Sequence, residues 1–382
     1  MQPSRHATPS VWHRGLDTEG RYQVTTVDRD DREVRDAEVI DAIDHLQTIG
    51  LLDRAEAAEN VRSFEMSGRA VNVLVVMPDG SGFFVKQGIG PRGRETVANE
   101  GIVLAALQES APDLAPYLPE LLHADSRRGR ITLRLIPDAI DVPSLHLPGE
   151  PPLLGVAAEF GRALALLHRA PVPHEMPPAP VPAVFLLHRP RIADLAEYDA
   201  AGWRGIRRLQ ADASLQSALD DLAASWQHTC VVHHDIKWAN LVLAGPDAGL
   251  LGGLRLVDWE FAAVSDPSWD VGCALAEYVW HACAAIPSDS SADPLTGLVA
   301  FAAPAIDALV TMYAAHCTPD VRITELLDRA ARMTAARIVA KAIACFHPSE
   351  QARGLEIASV ISAAPELVLG GTACGRQMAD TR

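Results

Sequence analysis

Residues 233–243 read His233-His-Asp235-Ile-Lys237-Trp-Ala-Asn240-Leu-Val-Leu243, and residues 254–260 read Leu254-Arg-Leu-Val-Asp258-Trp-Glu260. The polar cluster is flanked by Cys230-Val-Val232 and Leu241-Val-Leu243, a pattern that predicts a loop held between two short strands. Asp235 and Asn240 stand five residues apart, and a second carboxylate, Asp258, ends the next apolar run. An acid, an amide and a second acid brought together can hold Mg²⁺ and orient a hydroxyl, because magnesium takes oxygen ligands and keeps several waters and substrate phosphates. The same letters also arise by chance, with Asp258 a turn residue after a buried strand, so the surrounding chain has to decide.

Working outward, residues 1–36 are polar and charge-dense, ending in Asp28-Arg-Asp-Asp-Arg-Glu-Val-Arg-Asp36, and are expected to form a mobile arm or a strand that docks late. Apolar residues recur at helical spacing from Ala37 to about Ala58. The period then becomes strand-like over Ala70 to Met77, with Pro78-Asp-Gly-Ser-Gly82 as a turn and Phe83-Phe-Val-Lys86 as the return strand of a hairpin. A helix over Glu95 to Glu109 and strands near 120–124 and 130–136 complete a small, mostly β lobe, residues 37–138. The remainder, 139–382, reads as largely helical: Leu153–Arg169, Val271–His281, Ala305–His316, Thr324–Phe346 and Glu350–Ala364. Six prolines between Pro171 and Pro182 require an irregular loop.

Composition narrows the class. A chain of 382 residues holds about two or three domains. The net charge of -16, from 49 acids and 33 bases, argues against a partner that presents a phosphate backbone, so no nucleic acid is expected. No apolar run is long enough for a membrane span, and the first twenty residues are too polar for a signal peptide. The six cysteines show no CxxC pair and no zinc spacing, as in a reduced, cytoplasmic protein. Only three of the 33 basic residues are lysines: Lys86, Lys237 and Lys341. Since a compact ammonium and a planar guanidinium are not interchangeable, each lysine deserves its own question.

With these residues in view, the chain resembles the protein-kinase-like fold. The loop is similar to the kinase pattern H-R-D-x-x-x-x-N, and Asp258-Trp-Glu260 stands where D-F-G would. Lys86 and the downstream Glu100 resemble the strand lysine and helix glutamate that pair in that fold, with Glu95 the rival partner. The helix end Leu164-Ala-Leu-Leu-His168, the loop, and Asp258-Trp-Glu-Phe followed by Asp266-Pro-Ser-Trp-Asp270 resemble the aminoglycoside-phosphotransferase-like branch, the phosphotransferase enzyme family. Eleven residues separate Asp258 from Asp270, leaving no room for a protein-kinase activation segment. Two departures stand out: family members often carry Gly where His234 stands and another residue at Lys237, which brings the loop closer to Ser/Thr protein kinases.

The resemblance implies an α+β, bilobal fold with ATP and Mg²⁺ between a small β-rich N-lobe and a larger α-helical C-lobe. It implies that Asp235 orients the attacking hydroxyl, that Lys237 neutralises charge on the transferred phosphoryl, and that Asn240 and Asp258 ligate Mg²⁺. Lys86 would hold phosphates and pair with Glu100. The turn Ser67-Gly68-Arg69 is the candidate for covering the phosphates, while Val73, Val85 and the connector Leu135-Ile136-Pro-Asp138 would receive the adenine. His233 and Asp270 would brace the loop, Asp270 also serving as an ordinary helix N-cap. Lys341 receives no role.

The acceptor is read from charge alone. Residues 251–300 hold seven acids and one base, which favours a cationic small molecule such as an aminoglycoside. The segment His188-Arg-Pro-Arg191 and the run Arg204 to Arg208 favour an acidic group instead. A Ser/Thr side chain of a precursor peptide is the alternative acceptor, and a binding partner of pseudokinase type is the alternative from another class. The intact Lys86, Asp235, Asn240 and Asp258 argue against the latter.

Overall fold

The computed structural model describes residues 41–53, 62–67, 70–146, 150–174, 176–190, 200–244, 253–285, 294–318 and 322–344. The expected arm over 1–36 and the expected helix over 350–364 lie outside them.

The first part is an antiparallel sheet in the order β1-β2-β3-β5-β4. Its strands are β1 (Arg62–Ser67), β2 (Ala70–Val76), β3 (Gly82–Gly88), β4 (Leu121–Asp125) and β5 (Arg130–Arg134). The hairpin anticipated around Pro78-Asp-Gly80 is present, with Gly80 at φ +83° and Asp79 capping Ser81 through both backbone and hydroxyl. β1 was not anticipated, since Arg62-Ser-Phe-Glu-Met-Ser67 shows little apolar alternation. It is specified by pairing with β2, Ser67 against Val71 through Arg62 against Val76.

Two helices cover opposite faces of this sheet. Helix α1 (residues 41–48) covers the face bearing Val73, Val75 and Val85, which pack with Ala42, Leu46 and Leu52, while His45 bonds Thr132 across the contact at 3.1 Å. Helix α2 (Gly90–Ser110) covers the other face. Gly101 permits the approach, because a Cβ there would lie 2.9 Å from Ile131 Cγ2 and 3.1 Å from the Ala124 Cβ.

The chain leaves the sheet after Arg134 through residues 135–139 and joins a second group of short strands. β6 (Ile140–Asp141), β8 (Leu241–Leu243) and β9 (Leu254–Leu256) form one small antiparallel sheet. β7 (Cys230–Val232) and β10 (Ala263–Ser265) form another. The polar loop 233–240 therefore runs from β7 into β8, as its flanking runs predicted. Around it pack α4 (Leu154–His168), α5 (Ala200–Ala211), α6 (Ala213–Ala224), α7 (Pro267–Ala285), α8 (Pro294–His316) and α9 (Ile323–Ala344), with a one-turn α3 (Val142–Leu145) after β6. α5 and α6 were not anticipated. The proline-rich run 171–182 is irregular apart from a single bridge between Pro178 and Val264.

The main core joins Phe160, Leu164, Leu167, Trp259, Tyr278, Leu309 and Tyr313, all essentially inaccessible. α4 and α8 approach so closely that a Cβ on Gly161 would lie 2.0 Å from the Leu309 carbonyl oxygen. No helix among the described residues is long and apolar enough to cross a membrane. Gly161→Ala is expected to force these helices apart and destabilise the protein by about 1–3 kcal/mol, read as a lower midpoint in thermal unfolding. An unchanged midpoint would contradict this packing.

Candidate functional site

Strand alternation decides which side chains share a face with Lys86. Its register partners are Asn72 on β2 and Ile131 on β5, so Asn72, Lys86 and Ile131 project to one side of the sheet. Val85 pairs with Val73 and projects to the other side, into the cluster under α1. Val73 and Val85, each 2% exposed, are therefore packing residues and do not line the cleft, which corrects the expectation that they meet adenine. Adjacent residues of a strand point oppositely, so Val85 cannot share the face of Lys86. On the Lys86 side stand Phe84, its partner Leu74, and Asn72, whose Oδ1 is buried without a partner among the described residues.

Lys86 carries the central interaction. Its ammonium donates to Glu100 Oε2 at 2.7 Å and to Asp258 Oδ1 at 2.6 Å, with Glu260 Oε2 3.7 Å away. The glutamate from α2 is thus Glu100, itself buried, whereas Glu95 is exposed a turn and more earlier. Glu100 Oε1 also accepts the Trp259 backbone N–H at 3.2 Å. Burial disfavours the Lys86 charge, but the carboxylates of Glu100, Asp258 and Glu260 outweigh it and raise its pKa above the usual lysine value. Desolvation likewise pushes the Asp258 carboxyl upward, and Lys86, with smaller help from Lys237 and His233, more than reverses this, leaving it below the usual range.

Asp258 has φ +68°, ψ +59° and opens a 3₁₀ turn over Trp259–Phe261. That turn is held to α2 by Asn99, whose side chain donates to the carbonyls of Glu260 and Ala262 at 3.1 and 3.0 Å. The described non-glycine residues with positive φ are Asp138, His234 and Asp258: one in the connector, one in the polar loop and one at the second acid. Left-handed backbone at non-glycine residues costs about 1–3 kcal/mol each and persists only where surroundings enforce it.

Asp270 supplies much of that enforcement. It is completely buried in the first turn of α7, which begins at Pro267 with Asp266 accepting the Ser268 N–H, so Asp270 is not the N-cap expected of it; its Oδ2 and Oδ1 accept the backbone N–H groups of His233 and His234 at 2.7 and 3.0 Å. His168 Nε2 lies 3.4 Å from the same Oδ2, and His168 Nδ1 lies 2.8 Å from the Tyr313 hydroxyl. Desolvation raises the Asp270 pKa, but the hydrogen bond and charge of His168, together with His233, lower it on balance. His233 Nε2 bonds the Val257 carbonyl at 3.0 Å, tying the loop to the residue before Asp258. His168 and Tyr313 received no role from the sequence. His168 closes an apolar helix, and nothing local connects it to residue 270.

Within the loop, Lys237 Nζ donates to Asp235 Oδ2 at 2.7 Å, and Asn240 Nδ2 donates to the Asp235 carbonyl at 2.9 Å. The Val257 N–H bonds the Asn240 carbonyl at 2.9 Å, so Asn240 stands beside the residue preceding Asp258. Trp238 anchors the stretch by stacking on His146 at 4.1 Å and packing against Tyr278 and His281. Ile136 and Asp138 lie in the connector, Asp138 at φ +48°. Ser67 ends β1, while Gly68 and Arg69 lie outside the described residues.

Among the described residues no group of three or more His, Cys, Asp and Glu gathers into an all-protein metal cage. Magnesium bound with phosphates needs only one or two protein oxygens, and a carboxylate at 258 with an amide oxygen at 240 is such a donor set. The arrangement provides one buried cation, two oxygen donors, and a partly exposed carboxylate with a lysine on one of its oxygens.

The model of the phosphotransferase enzyme family matches residues 61–311. No curated protein matches the chain. Among solved structures, it is similar to a macrolide 2'-phosphotransferase from Brachybacterium faecium, at 17% identity over 86% of this chain and 97% of that one, TM-score 0.45. A type I macrolide 2'-phosphotransferase is similar at 16% identity over 90% and 99%, TM-score 0.49. A choline kinase from Streptococcus pneumoniae is similar at 14% identity over 86% and 99%, TM-score 0.42.

Asp270→Asn is expected to cost about 3–5 kcal/mol, because it removes a buried charge that answers two N–H groups and a histidine. The folded-state pKa of Asp270 is depressed, so its contribution is complete above the unfolded value near 3.8 and is lost as pH falls through the folded value. Denaturant unfolding of both proteins between pH 7 and 2 should therefore show the gap narrowing only in acid. A gap that stays constant throughout would contradict the assignment.

Proposed function

Because the chain belongs to the phosphotransferase enzyme family, we propose that it transfers the γ-phosphoryl group of ATP, with Mg²⁺, to a hydroxyl of a small molecule. The observation that carries this reading is the Lys86 ammonium bridging Glu100 of one lobe and Asp258 of the other at 2.7 and 2.6 Å. A buried lysine shared by two carboxylates has no need to be there for packing. It is suited to receiving phosphate oxygens once the Asp258 carboxylate turns to a metal ion.

In this reading residues 37–138 cover the nucleotide and residues 139–382 carry the loop and the acceptor site. Asp235 accepts a hydrogen bond from the acceptor hydroxyl and orients it for in-line attack. Lys237, 2.7 Å from Asp235, stands where it can move onto the transferred phosphoryl. Asn240 and Asp258 would hold Mg²⁺, which when bound screens the charge of the phosphates. His233 and Asp270 keep the loop backbone in place. The connector at Ile136 to Asp138 offers backbone groups to the base, and the Ser67 end of the β1–β2 turn faces the phosphates. The side chains beside the base are those on the Lys86 face, Phe84 and Leu74. α7 begins at Pro267, directly after β10, so no segment stands there for docking a peptide, and a small acceptor is preferred.

Calorimetry with ATP and Mg²⁺ tests the division of labour. Asp235→Asn should bind nucleotide within about threefold of wild type and lose transfer by at least about 10³-fold, since orientation and proton acceptance belong to the reacting complex. Asp258→Ala should lose metal-dependent nucleotide binding. Failure of the wild type to bind ATP and Mg²⁺ would defeat the reading, and undiminished transfer by Asp235→Asn would remove that residue from its role.

A further inference from the structure

The described acids of residues 251–300 are answered from within the fold. Asp258 and Glu260 stand around Lys86, Asp266 pairs with Arg329, and Asp270 with His168. Glu277 pairs with the Lys341 ammonium, 2.6 Å from its Oε1, and the Trp280 ring lies beside that ammonium.

Asn72 on β2 has no such answer. Its Oδ1 is buried without a partner, and no described residue bonds its Nδ2, which is not closed off in the same way. β2 reads Ala70-Val-Asn72-Val-Leu-Val-Val76, one amide among six apolar residues, and asparagine is a poor strand former. An unpaired buried amide oxygen is a standing cost to the fold. Neither packing nor pairing asks for this residue, a combination expected where a ligand supplies what the fold does not.

Its place on the sheet says which ligand. The row to which it belongs runs Asn72, Lys86, Ile131 across β2, β3 and β5. α2 covers the Ile131 end through Gly101 and sends Glu100 to Lys86 from there. Asn72 lies at the opposite end of the row, on the far side of Lys86 from α2. The next row on the same face, Leu74 and Phe84, is about 7 Å along the strands. That row leads toward Gly82, whose carbonyl accepts the Leu135 N–H of the connector at 2.9 Å. The face thus has a connector end, with Leu74 and Phe84, and a lysine end, with Asn72 beside Lys86. Lys86 is a single cation among Glu100, Asp258 and Glu260. A second cation at 72 would be held by the same carboxylates, whereas a neutral amide keeps its N–H groups available to an incoming anion.

From this placement we infer that Asn72 is a nucleotide-binding residue, its Nδ2 donating to a phosphate oxygen beside the one that Lys86 receives and so fixing the phosphate chain for transfer. The inference rests on the phosphotransferase reading and adds a residue to that same site.

Asn72→Leu, close in volume, replaces the unpaired amide by an apolar group and removes a residue that strands disfavour. It should melt at or above the wild-type temperature and bind ATP with Mg²⁺ about tenfold more weakly in calorimetry. Adenosine, followed by ligand-observed NMR, should bind within about twofold of wild type. Asn72→Ala, which leaves space instead of filling it, should lose ATP affinity equally and keep adenosine, so that crowding by leucine is not the cause. Asn72→Asp places a fourth carboxylate beside the phosphates and should weaken ATP by at least about 100-fold. Wild-type ATP affinity in Asn72→Ala, an equal weakening of adenosine, or an Asn72→Leu protein that melts well below wild type would overturn the inference. A wild type that binds no ATP removes the phosphotransferase reading and this residue with it, while a wild type that binds ATP no better than the Asn72 variants removes the role of Asn72 alone.

Discussion

A buried ammonium must be answered by negative charge or it will not stay charged, and in this protein the answer to Lys86 comes from both sides of the cleft. Glu100 arrives on α2 from the same part of the chain, and Asp258 arrives from beyond β9, 172 residues after Lys86 in sequence. The same Glu100 carboxylate accepts the Trp259 N–H, and Asn99 beside it holds the carbonyls of Glu260 and Ala262, in and just after the Trp259–Phe261 turn. One turn of α2 thus sets the position of the lysine, the second acid and the backbone between them. Removing either carboxylate would leave the ammonium with one close partner and the more distant Glu260, and would loosen the hold on the segment that carries Asp258.

The polar loop depends on a second buried carboxylate in a similar way. Asp270 holds two consecutive N–H groups of the loop, and His168, itself bonded by the Tyr313 hydroxyl, holds Asp270. This explains how His234 can keep a left-handed backbone at a position where a side chain is a handicap. The strain is localised beside Asp235, and it is sustained by groups from α4, α7 and α8 that are remote in sequence.

Charge in this chain has to be read pair by pair. The net value of -16 and the acidic stretch 251–300 suggest an electronegative acceptor site. In the fold, the described acids of that stretch face His, Lys or Arg partners contributed by other segments. A count along the sequence sums charges that tertiary structure has already matched.

Several features were legible because their physics is local. The loop between two short strands, the hairpin ending at Lys86, the long helices and the proline-rich connection follow from period, turn chemistry and spacing over fewer than twenty residues. The order acid, amide, acid is likewise written in one stretch, and the fold brings the three close, Asn240 donating to the Asp235 carbonyl and accepting from Val257 beside Asp258. What tertiary structure decided was orientation and partnership. It turned Val73 and Val85 away from the cleft toward α1, selected β1 by pairing rather than pattern, put His168 and Tyr313 behind Asp270, and gave Lys341 a carboxylate and an indole. The physical reason is common to all of these: a residue's type and local period are properties of the chain, whereas the face it presents and the charge it meets are set by segments tens to hundreds of residues away.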